Sequence, residues 1–288
     1  MLDALVFGGS GQVGAPLLER LRDAGWRVFA VSRGRHADLP GVQWLQGDLE
    51  RCDGLPRAVD AIFSCGPLDH FARWYAASAI EAPRVLAFGS TSVEAKRDSA
   101  DPHERDLAQR LREGERRVFA AAAARSAQAT LLRPTLVYGA GRDLTLTRIA
   151  SLARRWGRFV LPRDARGLRQ PVHVDDLACA AMAAQAAPSA HGRAYDLPGG
   201  ETLPYREMVA RTLAVLQPPP RLLQVPPPVF AAALLGARAV GRGGGFGAAA
   251  LARMREDLVF DVAPAQDDLG YAPRPFQPTA AMFAAGAG

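Results

Sequence analysis

Lysine is almost missing from this chain: Lys96 is its only lysine, although arginine is abundant. Cysteine is scarce as well, with three residues and no C-x-x-C pair, and the five histidines form no H-E-x-x-H motif. These absences argue against a disulfide framework, and they give no indication of a metal site. They favour a reducing, cytoplasmic setting.

Long hydrophobic runs are also lacking. The most apolar late stretch, residues 225–240, carries three consecutive prolines near its start and contains Arg238, so it is too short and too interrupted to span a membrane. The first residues contain Asp3 and enter a strand at once, which is unlike a signal peptide. We therefore expect no membrane span.

The positive charge is concentrated in one segment. Residues 142–169 hold eight arginines and two acidic residues, a local charge of +6 that equals the charge of the whole chain. The remainder is neutral, so the excess is a local patch, and we expect no nucleic-acid partner. Since guanidinium groups pair well with phosphate, we expect one or two of these arginines to bind an anionic substrate. A solvated helix face and an oligomer contact stay open as alternatives.

The first fourteen residues contain the most informative motif. A buried-strand pattern, residues 2–7, runs directly into Gly8-Gly9-Ser10-Gly11-Gln12-Val13-Gly14. Glycines permit a tight turn and a close approach of the backbone, and the N-terminus of the following helix offers free N–H groups to an anion. A strand, a three-glycine turn and a helix therefore predict a binding site for the pyrophosphate of a dinucleotide.

A second copy of the glycine spacing occurs at residues 241–247. It follows an Ala/Leu-rich, helix-like segment instead of a strand, so it lacks the geometry that points amide groups at a phosphate. We interpret this copy as a flexible loop.

Alternation of strands and helices determines the expected fold. Apolar strands at residues 2–7, 26–31, 42–46, 61–65, 85–88 and 129–132 alternate with helical patterns at 12–24, 68–82 and 106–124. Such βαβ units predict an α/β, Rossmann-type doubly wound parallel sheet. Beyond residue 138 the pattern loosens. We expect residues 1–137 to form the NAD(P)-binding domain and residues 138–288 a smaller substrate lobe, with some elements returning to the Rossmann sheet.

Ten short motifs follow one another in a characteristic order. They are Gly8-x-x-Gly11-x-x-Gly14, Gly47-Asp48-Leu49, Ser90-Thr91-Ser92-Val93, Arg133-Pro134, Val137-Tyr138-Gly139, Gly141-Arg142-Asp143, residues 171–178, Tyr195-Asp196-Leu197, Asp268-Leu269-Gly270-Tyr271 and residues 273–276. Together they resemble the extended short-chain dehydrogenase/reductase superfamily, and within it the NAD(P)-dependent epimerase/dehydratase branch that acts on nucleotide sugars. The resemblance implies a small anionic substrate, with a nucleotide sugar as the expected class. A homodimer is one assembly open to the chain, and the sequence leaves the oligomeric state undecided.

One signature of that superfamily is missing. Its enzymes typically use Tyr-x-x-x-Lys, in which the ammonium group lowers the pKa of the tyrosine so that the phenolate acts as a base. Here the residue four before Lys96 is Ser92, and the helix expected to carry the pair, residues 107–115, has no tyrosine. The chain therefore resembles an atypical member.

The resemblance also indicates the cofactor contacts. The candidate cofactor-binding residues are Gly8, Ser10, Gly11, Gln12, Val13, Gly14, Ser32, Arg33, Asp48, Leu49, Ser64, Cys65, Gly66, Ser90 and Pro134. No acidic residue occurs from Gly25 to Ala37 to hold a ribose 2′-hydroxyl, whereas Arg33 and Arg35 stand where a 2′-phosphate would lie. We therefore expect NADP(H) to be preferred over NAD(H). The alternative is that Arg33 only stacks on the adenine.

Three residues are candidates for catalysis. Ser90 matches the position whose hydroxyl binds the reacting oxygen of the substrate, Lys96 is the only lysine ammonium group, and Tyr138 lies in the turn expected to pass near the nicotinamide. Each has a structural alternative: a strand-end hydroxyl, a solvated lysine and a packed ring.

The remaining candidates concern the substrate and one helix start. Thr91, Ser92, Arg142 and Arg169 are the candidate substrate-binding residues, and no metal ligand is expected. The run His173-Val174-Asp175-Asp176 has a catalytic appearance, but we favour a helix start capped by Asp175 or Asp176.

Two functions from different classes follow. The first is an NAD(P)-dependent epimerase, dehydratase or reductase acting on an anionic, nucleotide-linked sugar. The second is a catalytically silent NADP(H)-binding module that senses the cofactor or serves as a scaffold, because Tyr-x-x-x-Lys is absent.

Overall fold

The structure is a computed structural model of the chain and describes residues 1–239 and 248–283. Its strands are β1 (Asp3–Phe7), β2 (Arg27–Ser32), β3 (Val42–Gln46), β4 (Ala61–Ser64), β5 (Arg84–Phe88), β6 (Gln128–Pro134), β7 (Val137–Tyr138), β8 (Arg158–Pro162), β9 (Leu168–Arg169), β10 (Val172–His173), β11 (Arg193–Leu197), β12 (Leu203–Pro204) and β13 (Arg221–Val225). Its α-helices are α1 (Gly14–Asp23), α2 (Leu68–Ala77), α3 (Ser92–Ala95), α4 (Pro102–Ala123), α5 (Leu146–Trp156), α6 (Val174–Ala186), α7 (Tyr205–Ala214), α8 (Pro227–Ala239), α9 (Ala248–Arg253) and α10 (Ala263–Leu269). Short 3₁₀ turns lie at Pro188–Ala190 and Ala280–Phe283.

Seven strands form one sheet in the order β11-β6-β5-β4-β1-β2-β3. Every neighbouring pair in it is parallel. The order reverses at β1, so the carboxyl ends of β1, β2 and β4 surround a crevice of the kind in which α/β proteins bind ligands. The expected fold class, a doubly wound parallel sheet, is confirmed.

Helices cover both faces of this sheet. Successive side chains of β1 point to opposite faces of the sheet. Ala4 and Val6 therefore pack in one hydrophobic cluster with α1 and α6, whereas Leu5 and Phe7 pack in the other with α2 and α4. Strands buried on both faces read as continuous apolar runs, which is why these segments could be recognised from the sequence.

A third hydrophobic cluster forms the core of the smaller lobe. It combines α5 and α7 with residues near the C-terminus, including Phe276 and Phe283. Strand β11 and helix α6 follow residue 138 in the chain but belong to the large sheet and its flanking layer. The second glycine motif, residues 241–247, lies outside the described residues.

No helix in the described ranges is long and apolar enough to cross a membrane.

Candidate functional site

The glycine turn closes tightly at the end of β1. Gly8 has a φ of +73°, and its carbonyl oxygen accepts a 2.9 Å hydrogen bond from the Gly11 N–H. A Cβ on Gly14 would lie 2.1 Å from that oxygen, so only glycine fits where α1 begins. The turn brings the first N–H groups of α1 close to the crevice, and these residues therefore fit a pyrophosphate.

A cleft of about 550 Å³ opens beside this turn. It is lined by Phe7, Gly8, Ser10, Gly11, Val31, Ser32, Arg33, Gly47, Asp48, Leu49, Glu50, Gly66, Pro67 and His70. The structure thus brings together eight of the expected cofactor residues: Gly8, Ser10, Gly11, Ser32, Arg33, Asp48, Leu49 and Gly66. Two others lie behind the lining, because Ser64 is 1% exposed inside β4 and Pro134 is buried at the end of β6.

Asp48 belongs to a fixed turn at the edge of the cleft. One oxygen of its carboxylate accepts the N–H groups of Glu50 at 2.8 Å and Arg51 at 3.0 Å, and these bonds lower the pKa of the carboxyl group. A Cβ on Gly47 would collide with the backbone of Arg51 and Cys52, so the preceding glycine is sterically required. The bonds thus favour the ionised carboxylate and fix its orientation at the edge of the cleft.

Two hydroxyl groups and an imidazole meet at the end of β2. The Ser32 Oγ lies 3.2 Å from the Ser10 Oγ and 2.7 Å from the His36 Nε2. Ser32 occupies the place where an NAD-specific site usually has an acidic residue, and Arg33 lines the cleft beside it. Our sequence reasoning named Ser10, Ser32 and Arg33 but missed His36, which has no motif to mark it.

The candidate catalytic residue Ser90 follows β5, which is two strands away from β1 and its glycine turn. β5 ends at Phe88, and the half-buried Ser90 follows, its Oγ accepting the Ser92 N–H at 3.1 Å. The Thr91 hydroxyl donates to the Pro134 carbonyl at 3.2 Å and so joins the ends of β5 and β6. This bond holds the Thr91 side chain in the framework and leaves Ser90 and Ser92 as the more accessible hydroxyl groups of the run.

Helix α4 passes beneath this edge without a tyrosine–lysine pair. In its place Glu115 forms a buried ion pair with Arg133, and a Cβ on Gly89 would lie 3.6 Å from the Glu115 carboxylate. Sequence reasoning missed this pair, because Glu115 looks like one more charge in a charged helix.

The 2-alkyl-3-oxoalkanoate reductase of Stenotrophomonas maltophilia (strain K279a) is 30% identical to this chain over 252 residues. The match covers 75% of this chain and 76% of that protein. The family model described as NAD dependent epimerase/dehydratase matches residues 4–81. The chain belongs to the NAD-dependent epimerase/dehydratase family.

Solved structures support the fold of this family member. The terminal R domain of the myxalamid PKS-NRPS biosynthetic pathway is 18% identical, with a TM-score of 0.73 and coverage of 99% of this chain and 89% of that chain. The UDP-glucuronic acid 4-epimerase of Bacillus cereus, solved in complex with NAD, is 12% identical, with a TM-score of 0.70 and coverage of 94% of both chains. At these identities the likeness concerns the fold.

Lys96 lies at the C-terminus of α3, in a charged cluster. Its side chain is 22% exposed, and its Nζ is 3.9 Å from a Glu104 oxygen that also contacts the guanidinium group of Arg253. Burial lowers the pKa of Lys96, Arg253 lowers it further, and Asp101 opposes both. Lys96 thus contacts Glu104 and the charged groups around it, and its role as proton carrier stays a prediction from the sequence.

Tyr138 lies inside the core of the smaller lobe. Its ring is fully buried and makes edge-on contacts with His173 and Phe276, at centroid distances of 5.1 and 4.9 Å. Burial raises the pKa of its phenol. These contacts favour the packing role over the acid role for Tyr138.

Two arginines expected to bind substrate have partners in the framework. The Arg142 Nη1 donates to the Ser10 carbonyl at 2.7 Å, which places Arg142 on the glycine turn. Arg169 is 5% exposed, and its guanidinium donates to the carbonyl groups of Leu168, Glu256 and Arg253. These bonds hold the segment near residue 255, but Arg169 also lines a cleft of the smaller lobe, so its assignment to the substrate stays a prediction.

A cleft of about 240 Å³ remains in the basic segment of this chain. It is lined by Leu136, Leu144, Thr145, Arg148, Ile149, Arg169, Tyr205, Arg253, Met254 and Leu258. The walls are mostly apolar and carry arginine side chains, so the cleft fits a ligand with an anionic group and an apolar body.

The start of α6 differs from the expectation. Asp175 and Asp176 do not cap it; His173 does, because its Nδ1 accepts the Asp175 N–H at 3.2 Å. The Asp176 carboxylate instead accepts two hydrogen bonds from Arg274, one from the side-chain Nε at 2.8 Å and one from the backbone N–H at 3.0 Å. Within the described residues, no group of three or more His, Cys, Asp or Glu side chains could hold a metal ion.

Proposed function

We propose that the protein is an NADP(H)-dependent epimerase, dehydratase or reductase acting on a small anionic substrate. One observation supports this proposal. The cleft beside the glycine turn, which follows β1, and Ser90, which follows β5, lie at the same edge of one parallel sheet, and only β4 separates these two strands. A nicotinamide supplies hydride exchange when bound. The chain's own residues would then bind the dinucleotide, orient the substrate and move a proton.

We assign the parts of the chain accordingly. Residues 1–137 bind the cofactor, and residues 138–288 supply the substrate lobe while returning α6 and β11 to the sheet. The preference for NADP(H) rests on Ser32 and Arg33 at the end of β2, where donors and a positive charge replace the usual carboxylate.

The proposed role of Ser90 is to donate its hydroxyl hydrogen to the reacting oxygen of the substrate. Lys96 is the proposed proton carrier, either directly or through water held by Ser90. Tyr138 is the second candidate and would require its buried ring to be uncovered. Arg148 is one of three arginines that line the cleft in the substrate lobe, and it is the one proposed to contact the anionic group of the substrate.

A nucleotide-linked sugar is the first substrate class to test, and the fold shared with a UDP-glucuronic acid 4-epimerase supports it. A 3-oxo acid is the second. It is favoured by the 30% identity to a 2-alkyl-3-oxoalkanoate reductase and by the apolar walls of the Arg148 cleft.

The test incubates the protein and NADP(H) with a panel of nucleotide sugars and 3-oxo acids, following cofactor absorbance and product stereochemistry. Stereochemistry is needed because an epimerase returns its cofactor unchanged. Ser90→Ala should lower turnover by roughly 100-fold or more with cofactor affinity intact. The matched control is Ser151→Ala, on the exposed face of α5.

A silent cofactor-binding module is the competing function. The missing Tyr-x-x-x-Lys motif and the buried phenol of Tyr138 favour it. Tight NADP(H) binding without turnover on either substrate class would support the module and contradict the enzyme.

We also propose a cytoplasmic location and a homodimer. The three free cysteines suit a reducing compartment. Val229 and Leu235 expose apolar surface on α8, at 54% and 64%, that a second copy would cover. Sedimentation analysis of the purified protein tests the dimer.

A further inference from the structure

Ser32 lies between two clefts that meet at the glycine turn. The cofactor cleft of about 550 Å³ is lined by Ser10, Ser32 and Arg33. A second cleft of about 330 Å³ is lined by Ser10, His36, Trp44 and Arg142, together with Glu19 and Arg22 of α1. Ser10 belongs to both linings, so its hydroxyl, the Ser32 hydroxyl and the His36 imidazole stand at the boundary between the clefts.

These three groups form a short chain of hydrogen bonds. The His36 Nε2 is 2.7 Å from the Ser32 Oγ, which is 3.2 Å from the Ser10 Oγ. The Gly34 N–H also points to the Ser32 Oγ, at 3.4 Å, and folds the loop after β2 over that hydroxyl. Three separate positions in the sequence therefore converge on Ser32.

Trp44 of β3 holds the imidazole in place. The two rings are 4.1 Å apart at their centroids and inclined by 31°. Trp44 in turn packs against the hydrophobic cluster beneath α1. His36 is exposed to solvent, yet the stacking keeps its Nε2 directed at Ser32, which reduces the entropy that ligand binding would otherwise cost.

The position of Ser32 indicates which part of a dinucleotide it would face. The residue at the end of β2 is the one that meets the ribose 2′ position in this fold. A hydroxyl group there cannot attract a 2′-hydroxyl as a carboxylate does, but it can donate to a phosphate oxygen. The second cleft lies just beyond and offers Arg142 and Arg22, with Glu19 as the one acidic residue of its lining.

We propose that His36 is a positioning residue for the 2′-phosphate of NADP(H). Its Nε2–H donates to the Ser32 Oγ, which turns the Ser32 hydrogen toward a phosphate oxygen at the boundary of the two clefts. Arg33, which lines the cofactor cleft, contributes a positive charge that attracts the same phosphate. This inference rests on the proposed NADP(H) preference and adds a residue and a hydrogen-bond direction to it.

The test measures binding of adenosine 2′,5′-bisphosphate and of 5′-AMP by calorimetry, since these ligands differ only in the 2′-phosphate and need no turnover. His36→Phe keeps a ring to stack on Trp44 but removes the donor. We expect it to weaken the bisphosphate about tenfold, the worth of one charge-assisted hydrogen bond, and to leave 5′-AMP unchanged. His36→Gln restores a donor and should recover much of the loss.

The control and the second variant separate the outcomes. His103→Gln, an exposed histidine on α4, should change neither ligand. Ser32→Ala should lose the preference as well, and the double variant with His36→Phe should lose little more, because both act on one hydrogen-bond chain. If His36→Phe folds poorly, His36→Ala takes its place in the cycle, because it also removes the donor and lies at an exposed position.

Three results would overturn the inference while leaving the preference intact. They are a bisphosphate preference unchanged in His36→Phe, equal weakening of both ligands, and no recovery in His36→Gln. Equal binding of both ligands by the unaltered protein would instead contradict the NADP(H) preference itself, so the two failures are distinguishable.

Discussion

The carboxylate of Glu115 holds the guanidinium group of Arg133 through two hydrogen bonds, of 2.7 and 2.6 Å. Glu115 comes from the middle of α4 and Arg133 from the end of β6, so the pair joins a helix to the strand end beside Ser90. Both side chains are largely buried, at 8% and 19% exposure, and Asp196 of β11 lies 3.8 Å from the same guanidinium group.

Removing only one partner of the Glu115–Arg133 ion pair should destabilise the protein. Glu115→Leu leaves the Arg133 charge buried with only the more distant Asp196, and we expect unfolding free energy to fall by about 3 kcal/mol. Replacing both partners by leucine removes the unpaired charge and should recover part of that loss. Urea unfolding of both variants provides the check, and a double variant no better than Glu115→Leu would contradict this account.

Gly14→Ala should disable the cofactor cradle. The added Cβ would meet the Gly8 carbonyl oxygen at 2.1 Å and the Gly9 Cα at 2.7 Å, so the turn must open. An overpacked contact of this kind costs about 1–3 kcal/mol, and we expect NADP(H) affinity to fall by about tenfold or more. Ser151→Ala, on the exposed face of α5, is the control, and it should change neither the NADP(H) affinity nor the melting temperature.

Arg142→Ala should weaken cofactor binding. Its guanidinium group supports the Ser10 carbonyl at 2.7 Å, and loss of one such bond costs about 1 kcal/mol. The expected effect is therefore a rise of about fivefold in the Kd for NADP(H). Arg155→Ala, at an exposed arginine beside Trp156, is the control. If Arg142→Ala instead raised the KM for substrate and spared cofactor affinity, the result would favour the sequence-based prediction that Arg142 binds the substrate.

His173 should make the protein less stable in mild acid. Burial lowers its pKa, Arg274 lowers it further, and Asp175 and Asp176 oppose the shift. Below about pH 6.5 the unfolded chain therefore binds a proton that the folded protein resists, so stability falls as the pH falls. Protonation of Nδ1 would also remove the cap of α6, worth about 1 kcal/mol.

The measurement compares melting temperatures at pH 7.5 and 5.5. His173→Asn retains a cap acceptor but does not titrate, so it should lose less stability over this interval than the unaltered protein. Equal losses in both proteins would show that other groups determine the acid sensitivity.

The large sheet could be predicted from the sequence because its strands are buried on both faces. Residues 42–46 and 85–88 were placed as strands to within one residue of β3 and β5. The ends of the helices are harder to predict from the sequence. Helix α4 begins at Pro102 instead of near residue 106, since Asp101 caps it by accepting the His103 N–H. The two-residue strands of the smaller lobe have no periodicity to detect.

The candidate site was predictable where one motif forms one turn, as in the glycine cradle. It was not predictable where partners are distant in the chain. Arg142 reaches Ser10 across 132 residues, and two of the three carbonyl groups that accept from Arg169 lie more than 80 residues away. An arginine's partner is decided by tertiary packing, so local composition could locate the basic segment but could not assign its members.

Strand β11 has a consequence for the order in which the molecule can assemble. It pairs with β6 from Arg193 to Leu197, and Tyr195 and Leu197 are buried in the same cluster as Val6 and Leu132. A nascent chain ending at residue 137 would therefore leave the β6 edge unpaired and this cluster open to water. The cofactor half can complete its sheet only after the chain has been synthesised to Leu197, about two thirds of its length, so the long connection through α5 and α6 must be made before this sheet can close.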